Sequence, residues 1–121
     1  MTELEVLTMN DWEARILSEE KLVVVDFQAP WCAASLLQYD SLTKLAEEVM
    51  GRVKMFQLDA SKFLPVAMSY RLIDFPALLL FKNGRLVKAC MGSGRVNEMK
   101  RILDAYLISN GGSSLKHNVE S

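Results

Sequence analysis

One run of six residues, Leu22-Val23-Val24-Val25-Asp26-Phe27, constrains the fold more than any other stretch of the chain. Three consecutive valines favour extended backbone, and both alternating sets of positions are apolar, which predicts a strand covered on its two faces. Such a strand belongs in the middle of a sheet, between layers of helix. Asp26 is the exception within it, a carboxylate placed in a buried strand.

The rest of the chain supplies the covering layers. Asn10, with Glu13 three residues later, predicts a capped first helix of about two turns carrying Trp12, Ile16 and Leu17 inward. From Ala33 to Met50 the apolar positions Leu37, Leu42, Leu45, Ala46 and Val49 recur at helical spacing. With Gly51 as the C-terminal cap, this predicts the longest helix of the chain. Val53 to Leu58 reads as a second strand, and Pro65 to Tyr70 as a short helix with proline in its first turn. Two strand-like runs then flank Asn83-Gly84, a pair suited to the positive φ angles of a type I′ turn, so an antiparallel hairpin is predicted. A last helix spans Arg95 to Leu107, with Val96, Met99, Ile102, Leu103, Tyr106 and Leu107 on its apolar stripe. Parallel strands need helical crossovers, so the fold class is α/β, a mixed central β-sheet flanked by helices on both faces. Residues 1–108 form the one domain, and residues 109–121, which lack any stripe, read as a flexible tail.

Composition narrows the function. Fourteen Lys and Arg nearly cancel fifteen Asp and Glu, for a net charge of -1, which argues against nucleic acid or an anionic membrane as partner. The apolar runs Leu22–Val25 and Ala77–Phe81 are too short to cross a bilayer, and the first residues do not read as a signal peptide, so a cytoplasmic location is expected. Two cysteines, Cys32 and Cys90, make neither a disulfide framework nor a four-thiolate zinc site, and the lone histidine, His117, lies in the tail. No metal or cofactor is expected, and the chain reads as a monomer. The methionines, Met50, Met55, Met68 and Met99 among them, read as gap-filling core residues.

The chemistry centres on Trp31-Cys32-Ala33-Ala34-Ser35, where the buried strand gives way to the long helix. A thiol at a helix N-terminus faces unpaired backbone N–H groups and the positive end of the helix dipole, which stabilise the thiolate. An inert apolar cysteine is the alternative reading. Location at the strand-to-helix junction, six residues after a buried carboxylate, favours Cys32 as a nucleophile. Cys90, two residues before Gly92 on the second arm of the hairpin, reads as a free thiol out of bonding reach of Cys32.

Val25-Asp26-Phe27-Gln28-Ala29-Pro30-Trp31-Cys32 resembles the active-site approach of the thioredoxin family, and Asp74-Phe75-Pro76-Ala77 with the strand and Asn83-Gly84 turn that follow resembles its cis-proline segment and hairpin. The likeness runs from about Leu4 to Leu107. It implies the thioredoxin fold, with Cys32 as attacking cysteine, Asp26 as the buried carboxylate behind it and Pro76 as the cis-proline facing it. It further implies a substrate-binding rim of Trp31, Phe75, Pro76 and Gly92, protein disulfides as substrates, and thioredoxin reductase or glutathione as electron donor. Asp26, desolvated in the sheet, is expected to hold a raised pKa and to exchange protons with the active-site sulfur; a satisfied buried polar group is the plainer reading.

The departures from that family are as informative. Its motif is Cys-Gly-Pro-Cys, whereas this chain has Cys32-Ala33-Ala34-Ser35, so a hydroxyl stands at the resolving position, either as an engineered substitution or as a natural one-thiol form. The thiolate can attack a substrate disulfide, but Ser35 cannot release the product. Gln57 stands where relatives often carry a lysine, which removes a charge partner from Asp26. With no proline at Tyr39-Asp40-Ser41, the helix is expected to run straighter. Two functions therefore remain open: a thiol–disulfide oxidoreductase impaired in turnover, and a non-catalytic thioredoxin-like binding or chaperone module.

Overall fold

The computed structural model describes residues 4–29 and 38–109. Five strands form one mixed sheet in the order β1-β3-β2-β4-β5: β1 (Glu5–Val6), β2 (Leu22–Gln28), β3 (Val53–Asp59), β4 (Ala77–Lys82) and β5 (Arg85–Met91). β1, β3 and β2 run parallel, while β4 is antiparallel to both β2 and β5. β2 is central, as its two apolar faces require, and Leu22 through Phe27 are all buried.

The alternation of β2 divides the core in two. Leu22 and Val24 face α1 (Tyr39–Glu48) and α3 (Val96–Ser109), packing on Leu42, Leu45 and Ala46 from one helix and on Met99, Leu103 and Leu107 from the other. Val23, Val25 and Phe27 face the opposite way, onto Trp12, Ile16, Phe63 and Ala67, the last from α2 (Leu64–Ser69). There the Trp12 ring meets Phe27 and Phe81 edge-on at centroid separations of 5.7 and 5.6 Å. Helices thus cover both faces, and the arrangement agrees with the expected α/β fold. The hairpin also agrees: Asn83 and Gly84 have φ of 52° and 77°, the left-handed pair of a type I′ turn.

Several local expectations need correction. The first helical segment is a 3₁₀ turn (Met9–Asp11) running into a π-helical turn (Trp12–Leu17), and its cap is not Asn10 with Glu13. Thr8 and Asp11 carry the same three-residue spacing two residues earlier. The Thr8 backbone N–H and hydroxyl donate to the Asp11 carboxylate at 3.2 and 2.8 Å. The i to i+5 bond from the Ser18 N–H to the Glu13 carbonyl, at 3.0 Å, marks the wider turn.

α1 begins at Tyr39, with Gln38 as its N-cap at φ -90° and ψ 0°, so the expected helix is interrupted at Gln38; the part of that expectation on residues 33–37 lies outside the described residues. Among the described residues α3 is the longest helix, with 14 residues against 10 in α1, and it runs on through Ser109. Gly51 does not cap α1 directly; it takes a φ of 84° in the turn beyond the C-cap Val49. Met50 and Met68 are 65% and 73% exposed, not core fillers: one lies in the turn after α1, and the other is on the solvent side of α2, which buries its neighbour Ala67. Met99 is fully buried and fits the expectation. Of the tail expected at residues 109–121, Ser109 belongs to α3 and the remainder lies outside the described residues.

Candidate functional site

The parallel and antiparallel halves of the sheet meet at β2, and Asp26 lies where they do. It is in register with Gln57 on β3 and with Leu78 on β4. Its position in the strand alternation puts it on the face of Leu22 and Val24, beneath α1 and α3, and it is only 1% exposed. Two amides hold the carboxylate. Gln28 Nε2 donates to Oδ2 at 2.9 Å, from the next inward-facing position of the same strand. Gln38 Nε2 donates to Oδ1 at 3.3 Å, from the turn before α1.

Burial drives the Asp26 pKa from its ordinary value of 3.8 up to about 6, because the ionised form loses hydration that neutral amides do not replace. The Gln28 and Gln38 donors act in the opposite direction and restrain the rise. Among the described residues, no cation is one of the groups that act on it. Gln57, opposite Asp26 in the register, sends its own amide N–H to the Leu4 carbonyl at 3.4 Å. The expectation that Asp26 is buried and raised in pKa thus agrees with the geometry. Gln38 is itself 7% exposed, and its Oε1 has no hydrogen-bond partner among the described residues.

A second group of residues gathers at the same end of the sheet. The Phe75–Pro76 peptide is cis, as expected, and leads directly into β4, whose first residue, Ala77, is in register with Phe27. Ala77 also pairs with Met91, and just beyond it the Gly92 N–H donates to the Pro76 carbonyl at 2.8 Å. Gly92 and Gly94, at φ of 94° and 76°, turn the chain from β5 into α3. Arg95 fixes that turn. Its Nε and Nη2 donate to the two oxygens of Glu98 at 2.6 and 2.9 Å, and its Nη1 donates to the Met91 carbonyl at 2.8 Å.

Of the residues singled out in the sequence, Phe75, Pro76 and Gly92 are therefore brought together, with Asp26 on the adjoining strand. Trp31, Cys32 and Ser35 lie outside the described residues, and so does the expected packing of Pro76 on Cys32. Cys90 forms no disulfide and is fully buried. Its thiol donates to Glu98 Oε2 at 3.7 Å, and burial, followed by the Glu98 charge, pushes its pKa up. Gln28, Gln38, Asp74 and the Arg95–Glu98 pair escaped the sequence reading. Gln28 and the Arg95–Glu98 pair carried a signal, since two residues along a strand return to the same face and residues three apart at a helix start are neighbours; Gln38 and Asp74 depend on tertiary contact. Among the described residues no cluster could hold a metal ion, and no helix is long and apolar enough to cross a membrane.

With that geometry in hand, comparison with known proteins is specific. The thioredoxin family model matches residues 3–105. Over 97 residues the chain is 32% identical to thioredoxin C-2 of Corynebacterium nephridii, a match covering 80% of this chain and 90% of that protein. It is 30% identical over 105 residues to the M-type chloroplastic thioredoxin of Spinacia oleracea, covering 85% of this chain and 58% of the relative. Against thioredoxin M5, chloroplastic, of Oryza sativa subsp. japonica, identity is 28% over 107 residues, covering 88% and 62%. The matches span about three-fifths of the length of these chloroplastic relatives.

Proposed function

Because the chain belongs to the thioredoxin family, we propose that it is a thiol–disulfide oxidoreductase acting on protein disulfides, with Cys32 as the attacking thiol. The observation that carries this reading is Asp26: a carboxylate buried in the central strand, with no cation among the described residues acting on it and a pKa of about 6. A structural polar group gains nothing from such a site, whereas a proton carrier works best when its pKa is near the working pH.

In the proposed reaction the Cys32 thiolate attacks one sulfur of a substrate disulfide. A new S–S bond forms, the old one breaks, and the departing substrate thiolate takes up a proton. Trp31, Phe75, Pro76 and Gly92 form the rim on which the substrate segment is seated. Ser35 stands where a second thiolate would expel the substrate, and its hydroxyl stays protonated at neutral pH. The mixed disulfide is therefore resolved from outside. A glutathione thiolate attacks at the Cys32 sulfur and releases the remaining substrate thiol, and a second glutathione frees Cys32 as oxidised glutathione leaves. Thioredoxin reductase is the donor for a two-thiol form carrying cysteine at position 35. The same reading places the protein as a monomer in the cytoplasm, where a reducing environment keeps Cys32 a thiol.

The test compares the chain with Ser35→Cys in coupled insulin reduction. The unaltered chain is expected to form a mixed disulfide that persists until an external thiol is added, and Ser35→Cys to turn over repeatedly. Background turnover by Ser35→Cys, with Cys32 no more reactive than Cys90, would replace this reading with the binding-module one.

A further inference from the structure

Asp74 interrupts an otherwise apolar approach to the cis peptide. On one side is Ile73, 86% exposed, and on the other is Phe75, half-buried against the core. The Asp74 side chain is exposed and leans toward the neighbouring turn: its Oδ2 lies 3.3 Å from the point that a Cβ on Gly92 would occupy. The carboxylate thus overhangs the glycine whose N–H is bonded to the Pro76 carbonyl.

Nothing among the described residues neutralises it. The ion pairs there are Arg15–Glu5, Lys54–Glu19, Arg95–Glu98 and Lys100–Glu48, and no hydrogen bond reaches the Asp74 carboxylate. Arg95, the cation three residues beyond Gly92, has its guanidinium engaged by Glu98 and the Met91 carbonyl. A segment lying across Phe75, Pro76 and Gly92 would cover Asp74 and strip water from it. Covering an unpaired carboxylate is unfavourable unless the covering chain brings a positive charge.

Resting on the substrate rim proposed above, we infer that Asp74 is a specificity-determining residue that selects disulfide segments carrying Lys or Arg beside the cystine, with Ile73 offering an aliphatic contact next to the charge. The preference is electrostatic, so it should weaken with salt.

The experiment uses disulfide-linked dimers of a short peptide in which the residue before cysteine is Lys, Gln or Glu. Second-order rates of mixed-disulfide formation are measured on the full chain, on Asp74→Asn and on Asp74→Lys. The expected result is a Lys-over-Glu rate ratio that falls about fivefold in Asp74→Asn at low ionic strength, inverts in Asp74→Lys, and shrinks for the unaltered chain in high salt. A ratio unmoved by either substitution, or a change by one common factor for all three peptides, overturns the inference while leaving the oxidoreductase reading intact. An unaltered chain that reacts with none of the peptides faster than free cysteine does overturns both.

Discussion

Gln38 and Asp26 are twelve residues apart in sequence, yet Gln38 Nε2 lies 3.3 Å from Asp26 Oδ1, joining the turn before α1 to the middle of the central strand. With Gln28 on the second oxygen, the buried carboxylate is held by neutral amides. Amides ease its ionisation without offsetting the loss of water, and the pKa of about 6 is the balance of those effects.

The first prediction is a linkage between that proton and stability. The folded-state pKa is raised above the unfolded value, so the folded chain binds more protons between about pH 4 and 6. Stability is therefore highest below that window and is lost as pH rises through about 6. A rise from 3.8 to about 6 corresponds to about 3 kcal/mol. Asp26→Asn is expected to be more stable than the unaltered chain by up to that amount at pH 8, with the difference vanishing below pH 4. Urea denaturation across pH measures it, and a constant difference at all pH values would refute it.

Removing either amide should push the Asp26 midpoint still higher. Gln28→Leu is expected to raise it by about one unit, since a hydrogen bond to a charged group is lost, and Gln38→Leu by less because its contact is longer. NMR titration of the Asp26 carboxyl carbon distinguishes the two. A downward shift in either variant contradicts the assignment.

Cys90 is expected to resist thiol reagents in the native state, because it is fully buried and its pKa is raised by burial and by Glu98. A disulfide reagent should modify one thiol per folded chain and a second only on unfolding. Rapid modification of both in the folded protein would be inconsistent with this packing.

Glycines with similar backbone angles should differ in cost. A Cβ on Gly84 would run into the backbone carbonyl of Leu17, whereas one on Gly51 meets nothing within 4 Å. Both have positive φ, so each Ala substitution carries about 1 kcal/mol of backbone strain. Gly84→Ala is expected to lose at least about 1 kcal/mol more than Gly51→Ala, as read from denaturation midpoints. Equal losses would mean that the hairpin does not pack on Leu17 as described.

Strand β2, the Asn83-Gly84 hairpin, α2 and the stripe of α3 were legible in the sequence because local pattern alone encodes them. Valine-rich alternation, a turn pair tolerant of positive φ, and apolar residues at helical spacing act within a few residues of one another. The burial of Asp26 could be read the same way, since a carboxylate inside a doubly apolar strand has nowhere else to point. The start of the first turn was misplaced because Thr8–Asp11 and Asn10–Glu13 offer the same capping spacing, and only hydrogen-bond geometry selects between them. Tertiary structure alone decided that Gln38 meets Asp26 and that Asp74 overhangs Gly92. Those contacts join residues on different elements or in loops. Their free energy depends on which side chains the packed sheet brings together and on the water it removes, which no spacing along the chain records.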